Sequence, residues 1–199
     1  MISKITLITD FTCPFCFRQH LALSALKEEG IAPEIHPAPH MLKADAPIEG
    51  FIFDDKLREK LRHHFEEFKK DPLFEGIHFH DPERRFNSYR AHGIALAAEK
   101  EGIYLPVALA IFEAGFVRGE NIALEETLKK AIDGAGFDYD TLASKVNAED
   151  LRAGLHESFV LRKKYELKTV PAMYFPETER VVDHSTSLEE LRGLVTEEA

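Results

Sequence analysis

Two β-rich segments lie at opposite ends of this 199-residue chain, and a long stretch with helical periodicity separates them. Residues 1–42 predict a strand, a helix and a short extended run, whereas residues 147–199 predict a helix, two strands and a final helix. Each segment is too short to form an independent sheet, so we expect one sheet built from both ends, with residues 43–146 inserted as a helical block. The predicted fold class is α/β, with a mixed sheet and a large all-helical insertion.

Local signals define the elements at both ends. The pattern of Lys4–Thr9 indicates a strand buried on both faces, and a helix is expected to follow at once with Thr12 as its N-cap. Near the other end, "TVPAMYF" and "RVVDH" are β-branched and aromatic runs separated by "PETE". This pattern is typical of a β-hairpin.

Charge and hydropathy exclude several classes of partner. The chain has 35 acidic and 25 basic residues and a formal net charge of −10, so binding to nucleic acid or to an anionic membrane is disfavoured. No window approaches the ~18 consecutive apolar residues of a transmembrane helix. The opening "MISKITLITD" lacks the apolar run and the cleavage site of a secretory signal. We therefore expect a soluble cytoplasmic protein without nucleic-acid or membrane partners.

The two cysteines of the chain, Cys13 and Cys16, are separated only by Pro14 and Phe15. If Cys13 stands at the start of the helix, its sulfur faces the unsatisfied N–H groups and the positive end of the helix dipole, which favour thiolate over thiol. Cys16 lies on the same helical face and further inside, where it can attack a mixed disulfide formed at Cys13. Pro14 stiffens the turn, and Phe15 places an apolar side chain beside the reactive sulfur.

His20 lies four residues beyond Cys16 and seven beyond Cys13, and can therefore share the face of the cysteines. In that position its protonated form would stabilise a thiolate and modulate its pKa. The alternative is an ordinary, partly exposed helix histidine, and the sequence leaves both interpretations open.

Pro171 stands near the start of a predicted strand, where proline is confined to an edge or a turn and is sometimes preceded by a cis bond. A cis Val170–Pro171 peptide beside the cysteines would leave the backbone of Val170 free to pair with an extended substrate. It would also keep metal ions away from the sulfurs.

Taken together, these residues resemble a known family. A CxxC at the first helix after the first strand, a helical insertion and a late "TVP" strand are similar to the thioredoxin-fold DsbA family of thiol-disulfide oxidoreductases. The similar branch is the FrnE-like one, to which kappa-class glutathione transferases and 2-hydroxychromene-2-carboxylate isomerases are related. The stretches "NSYRAHGIALAAEKEG" and "ALAIFEAGFVRGENIA" support that branch, and "DFTCPFC" resembles the opening of the isomerases, with cysteine in place of their serine.

This resemblance implies a thioredoxin-like sheet and assigns roles to individual residues. It makes Cys13 the attacking thiol, Cys16 the resolving thiol and Pro171 the cis-proline, with Val170 before it. The implied partners are proteins or small molecules that carry a thiol or a disulfide. No bound cofactor is expected, and a cytoplasmic location favours reduction or isomerisation with glutathione as co-substrate.

The chain also departs from the family pattern. Phe15 stands where members of the branch often have tryptophan, and this chain has no tryptophan at all. Leu7 stands six residues before Cys13, where related enzymes carry a buried acid. Proton transfer at the cysteines would then require solvent, His20 or another group. The hairpin "PETER" also lacks the glycine-rich turn of the family.

Several alternatives remain open at this level. Cys13 could activate glutathione or a substrate, as in a transferase or isomerase that needs no resolving thiol, and the domain could also be a redox-inactive binding scaffold. A zinc site is disfavoured because a structural site needs four ligands, and His78, His80 and Asp81 are typical of a surface loop. The apolar helices of the insertion could form a homodimer interface or only the insertion's own core.

Overall fold

A computed structural model describes residues 4–196. Residues 1–3 and 197–199, at the outer ends of the predicted segments 1–42 and 147–199, lie outside the described part of the chain. In chain order the elements are β1 (Lys4–Thr9), α1 (Pro14–Glu28), β2 (Glu34–Pro39), β3 (Phe51–Ile52), α2 (Asp55–Phe68), a single 3₁₀ turn (Pro72–Phe74), β4 (Arg84–Arg85), α3 (Tyr89–Lys100), α4 (Tyr104–Phe116), α5 (Glu125–Gly134), α6 (Tyr139–Ser144), α7 (Ala148–Lys164), β5 (Ala172–Phe175), β6 (Arg180–Asp183) and α8 (Leu188–Thr196).

The main sheet is assembled from both ends of the chain, as the sequence predicts. Its strand order is β2-β1-β5-β6. Strand β1 pairs in parallel with β2 and antiparallel with β5, and β5 continues antiparallel into β6. Because β1 has a neighbour on each side, all of Ile5–Thr9 is buried, which explains its nearly continuous apolar character.

The insertion differs from the prediction in one respect. Most of it is helical, but Phe51–Ile52 pairs antiparallel with Arg84–Arg85 and forms a two-stranded ribbon. The description of the insertion as all-helical is therefore wrong. Each strand of the ribbon has only two residues, too few to show a period, and the pairing joins positions that are distant in the sequence.

The insertion shares its core with the sheet. Helix α4 packs on α1, and helices α3 and α7 both pack on β2. Helix α4 is apolar on most of its surface, and residues such as Val107, Ile111 and Phe112 are completely buried. The apolar faces of these helices therefore contribute to a single core that also contains β1 and β5.

Within residues 4–196, none of the helices combines the length and the apolar character required to cross a bilayer.

Candidate active site

Cys13 is the N-cap of α1, one residue later than the predicted Thr12. Its backbone is extended, and its sulfur accepts a hydrogen bond from the Cys16 N–H at 3.4 Å. Pro14 follows in the first turn of the helix, where a missing N–H costs nothing. The sulfur of Cys13 therefore occupies the position at which a helix N-terminus stabilises negative charge.

The turn before the helix holds Cys13 in place. The Cys13 N–H donates to the Asp10 carbonyl at 3.1 Å, and the Thr12 N–H donates to the Asp10 carboxylate at 2.9 Å. A carboxylate that caps a turn in this way is the ordinary use of aspartate directly after a strand. Only 4% of the Cys13 surface is exposed, so little of the residue is open to a partner.

Cys16 lies behind Cys13 and is completely buried. Its sulfur accepts a hydrogen bond from the Asp10 N–H at 3.4 Å. Burial raises the pKa of the Cys16 thiol well above its usual value, and the neighbouring Cys13 raises it further; the Asp10 N–H and the Thr9 hydroxyl oppose this shift. Both cysteines are free thiols. Cys16 is therefore the more deeply buried of the two thiols.

Val170 and Pro171 complete the surroundings of Cys13. The Val170–Pro171 peptide bond is cis, and the Cys13 thiol donates to the Val170 carbonyl at 3.4 Å. Strand β5 begins directly afterwards, and its Ala172 lies opposite Ile8 of β1. The pairing of β1 with β5 thus brings Cys13 and Val170, which are 157 residues apart, together at one end of the two central strands.

Phe15 is partly buried by three rings from other parts of the chain. The rings of His64 and Phe68 on α2 and of His184 after β6 each lie 5.1 Å from the Phe15 ring, centroid to centroid, in edge-on geometry. Edge-to-face pairs of this kind are favourable. Phe15 therefore packs the turn that contains the cysteines against helix α2 of the insertion.

His20 is completely buried, so the interpretation as a partly exposed helix histidine is wrong. Its Nδ1–H donates to the Cys16 carbonyl at 2.7 Å, and its Nε2 accepts from the Tyr104 hydroxyl at 2.7 Å. Burial lowers the pKa of His20 to about 4. The imidazole is therefore neutral near pH 7, and a protonated His20 that stabilises a thiolate finds no support. The periodicity of α1 indicated the face of the helix on which His20 lies. It did not indicate that apolar side chains of α4 cover this face.

Sequence reasoning missed Asp10. Its side chain is 1% exposed, and its second carboxylate oxygen accepts the Leu42 N–H at 2.5 Å, so it joins the CxxC turn to the loop after β2. His92 Nε2 lies 4.0 Å from the same carboxylate and donates to the His40 carbonyl at 3.0 Å. The sequence signal that could have identified Asp10 is its position directly after a buried strand, at the start of "DFTCPFC". Leu7, in contrast, is an ordinary core residue.

The histidine cluster of the sequence does not assemble into a metal site. The Asp81 carboxylate is held by Arg62 and Arg58, which keep its pKa well below its usual value. The backbone N–H of His80 donates to the Phe116 carbonyl in an irregular segment. Within the described residues, no group of three or more His, Cys, Asp or Glu side chains could hold a metal ion.

Comparison with models of protein families shows the family to which this chain belongs. The model of the DSBA-like thioredoxin domain matches residues 4–195, nearly the whole chain. The chain belongs to the DSBA-like thioredoxin domain family. Comparison of the sequence with curated proteins finds no match.

Several solved structures are similar to this chain in fold. The chain is similar to the cytosolic disulfide reductase DsbM from Pseudomonas aeruginosa with GSH, at 18% identity over 96% of each chain and a TM-score of 0.71. It is also similar to a 2-hydroxychromene-2-carboxylate isomerase, at 16% identity over 96% of this chain and 92% of that one, with a TM-score of 0.63. A third is the thiol-disulfide exchange protein alpha-DsbA2 from Wolbachia pipientis, at 16% identity over 96% and 79% and a TM-score of 0.56. At these identities the likenesses show a shared fold.

Proposed function

We propose that this DSBA-like protein is a thiol-disulfide oxidoreductase that cycles Cys13 and Cys16 between the dithiol and the disulfide through a mixed disulfide. The observation that carries the proposal is the asymmetry of the two thiols. Cys13 caps α1 and faces the Val170 carbonyl, whereas Cys16 is completely buried behind it with a raised pKa. Attack through the outer sulfur and resolution by the inner one follow from this arrangement.

In the reductive direction, the Cys13 thiolate attacks one sulfur of a substrate disulfide. The substrate S–S bond breaks, a Cys13–substrate bond forms, and the departing thiolate takes a proton from solvent. Cys16 then loses its proton and attacks the Cys13 sulfur, which releases the second substrate thiolate. The protein gives up two electrons and two protons in total, and one disulfide becomes two thiols.

The residues around Cys13 give the substrate its orientation in this proposal. Pro14 and Phe15 form the surface beside the sulfur, and the backbone of Val170 before Pro171 aligns the segment that carries the substrate disulfide. The Cys13 thiol already donates to the Val170 carbonyl, so a substrate sulfur that replaces the proton would lie next to the same backbone.

Two cysteine variants test the mechanism. Cys16→Ser should accumulate mixed disulfides with substrate, because the first step proceeds and the second cannot, whereas Cys13→Ser should abolish turnover. Non-reducing gels and intact mass after incubation with a disulfide substrate measure both results. Equal residual activity in the two variants would contradict the assigned roles.

We further propose that the physiological direction is reduction in the cytoplasm, with glutathione as the electron source. Two glutathione thiols would reduce the Cys13–Cys16 disulfide and leave as glutathione disulfide. The likeness to a cytosolic disulfide reductase with GSH supports this direction. Measuring the equilibrium of the cysteine pair against glutathione buffers tests it. A pair that remains oxidised at a reducing cytosolic poise would contradict it.

A second candidate is a glutathione-dependent transferase or isomerase that uses Cys13 alone. The likeness to a 2-hydroxychromene-2-carboxylate isomerase favours considering it. Cys16 separates the two candidates, because a transferase or isomerase needs no resolving thiol. Full activity of Cys16→Ser in a glutathione transfer assay, together with no disulfide turnover by the unaltered protein, would favour this candidate.

A further inference from the structure

A cleft of about 290 Å³ opens between the start of α1 and the insertion. Phe11 and Thr12, which directly precede Cys13, form one side of it. The rest of the lining comes from the insertion and combines charged residues with the apolar side chains of Phe53, Leu61, Phe65, Phe116 and Ile122. The volume is close to the lower limit for sites that bind small molecules, about 300 Å³. The two residues that precede Cys13 in the chain therefore line the cleft, which has room for one small group.

Arg85 of strand β4 is half-buried and lines this cleft, and its side chain makes no hydrogen bond or ion pair within residues 4–196. Its guanidinium lies over the Phe53 ring, 5.6 Å from the centroid, and its Nε is buried without a hydrogen-bond acceptor. Among residues 4–196 no carboxylate pairs with it. A buried guanidinium nitrogen without an acceptor is costly, because a charged donor that has lost its water needs a replacement.

The acidic groups that line the cleft do not neutralise Arg85. Asp81 is held by two arginines of helix α2, and Glu83 lies 4.0 Å from one of them, Arg58. The backbone carbonyl of Glu49 accepts from Arg84, the neighbour of Arg85. Within the described residues, Arg85 therefore has no carboxylate partner in the cleft.

Thr12 supplies a second unpartnered group on the side of the cleft near the cysteines. Its hydroxyl is buried and makes no hydrogen bond within the described residues. Buried polar groups almost always have partners, so two orphaned groups that line one cleft point to a ligand that satisfies both. A molecule between them would have a polar group near each end and an apolar body between.

We propose that the cleft binds the non-reacting part of a small disulfide or thiol substrate, and that this part is an aromatic or similarly flat apolar group with a carboxylate for Arg85. The inference rests on the proposed function, because the substrate sulfur is placed at Cys13. The carboxylate pairs with the guanidinium, which is suited to bidentate binding of carboxylates, and the apolar body packs on Phe53 and Phe116. Thr12 donates to the ligand close to the reacting sulfur.

Three disulfides separate the contributions of charge and apolar surface. Dithiobis(nitrobenzoate) has an aromatic ring and a carboxylate, dithiodipyridine has an aromatic ring without a carboxylate, and glutathione disulfide has carboxylates without an apolar body. The measurement is the second-order rate constant for oxidation of the fully reduced protein. Arg85→Met should slow the reaction with dithiobis(nitrobenzoate) about tenfold, the usual effect of losing a charge-assisted hydrogen bond. The rates with the other two should change less than twofold.

Arg152→Met is the matched control, because Arg152 is an exposed arginine on α7 and the variant changes the net charge equally. It should leave all three rates unchanged. Arg85→Lys should give an intermediate loss with dithiobis(nitrobenzoate), because lysine keeps the charge without the planar fork. Equal effects of Arg85→Met on all three disulfides, no effect on any, or an equal loss with glutathione disulfide would overturn the assigned ligand class.

A second measurement uses the unaltered protein, so that it does not depend on the folding of a variant. Naphthoate should slow the reaction with dithiobis(nitrobenzoate) competitively, whereas naphthalenemethanol, which lacks the carboxylate, should be a much weaker competitor. Equal competition by both would overturn the role of Arg85. If Cys13→Ser and the unaltered protein react equally with every disulfide, the proposed function itself fails. If Cys13 reacts normally but the Arg85 variants affect all three disulfides alike, the proposal about the cleft fails and the proposed function stands.

Discussion

At the scale of single residues, the active site depends on side chains that lie outside the CxxC. Asp10 supplies its N–H to the Cys16 sulfur and its carboxylate to the turn that holds Cys13. His20 is a buried neutral link between the Cys16 carbonyl and Tyr104. Both residues position the cysteines through hydrogen bonds, and neither provides a positive charge beside the sulfur.

Phe15 stands where the resemblance in sequence implies tryptophan, and in the structure its ring contacts α2 and the segment after β6. Phe15→Ala should lower the free energy of unfolding by about 1–3 kcal/mol, because three ring contacts and part of a buried surface are lost. Urea unfolding monitored by circular dichroism measures the change. Phe159→Ala, at a phenylalanine that is 60% exposed, is the matched control and should change stability by less than about 0.5 kcal/mol. Equal effects of the two variants would contradict the role of the Phe15 contacts.

At the scale of secondary-structure elements, a charged cluster joins β2 to two helices. His36 of β2 lies between Glu99 of α3, at 2.5 Å from Nδ1, and Glu157 of α7, at 2.8 Å from Nε2. Hydrogen bonds to Glu157 and Glu99 raise the pKa of His36 to about 9. The same pairing lowers the pKa of Glu157. The cluster fixes the helices that cover this edge of the sheet.

This cluster predicts a dependence of stability on alkaline pH. Because the pKa of His36 is higher in the folded protein than in the unfolded chain, its contribution is complete below about pH 6.5 and is lost as the pH rises through about 9. His36→Gln should therefore destabilise the protein near pH 6 more than near pH 9.5. Partial exposure to solvent makes the contribution smaller than the pKa shift alone implies.

Urea midpoints measured across that pH range, for the variant and for the unaltered protein, test the dependence. His156→Gln, at an exposed histidine of α7, is the control and should run parallel to the unaltered protein. A destabilisation by His36→Gln that is constant between pH 6 and 9.5 would show that the imidazole is not charged in the cluster.

At the scale of the whole molecule, the sheet and the insertion form one unit. The buried core extends continuously from β1 through α4 and α5 to α8. The insertion also forms most of the cleft lined by Phe11 and Thr12 and provides two of the three rings around Phe15. The insertion therefore contributes to stability and to the proposed site together.

A shared core predicts a single unfolding transition. Because the chain has no tryptophan, one introduced tryptophan reports on one place only. Phe137→Trp in the insertion and Tyr174→Trp in β5, both at partly buried positions that pack on the core, should show coincident midpoints in urea. Circular dichroism of each variant is the control for a change in overall stability. Separate midpoints within one variant would indicate that the insertion and the sheet unfold independently.

The sequence by itself determined the order of the main elements, the assembly of one sheet from both ends, and the position of the CxxC at the start of the first helix. These features depend on periodicity, capping and turn residues, which are local. It did not reveal the β3–β4 ribbon, the burial of His20 or the role of Asp10. Each of these depends on what packs against the residue from elsewhere in the chain.

Only the tertiary structure decided the surroundings of the thiols. It placed Val170 opposite Cys13 across a separation of 157 residues, and it placed the rings of His64 and His184 against Phe15. Among residues 4–196 it also left the Arg85 Nε without a hydrogen-bond acceptor, in a cleft lined by the two residues that precede Cys13. The physical reason is that hydrogen bonds, burial and charge pairing act between atoms that are close in space, and local periodicity does not specify which distant segments meet.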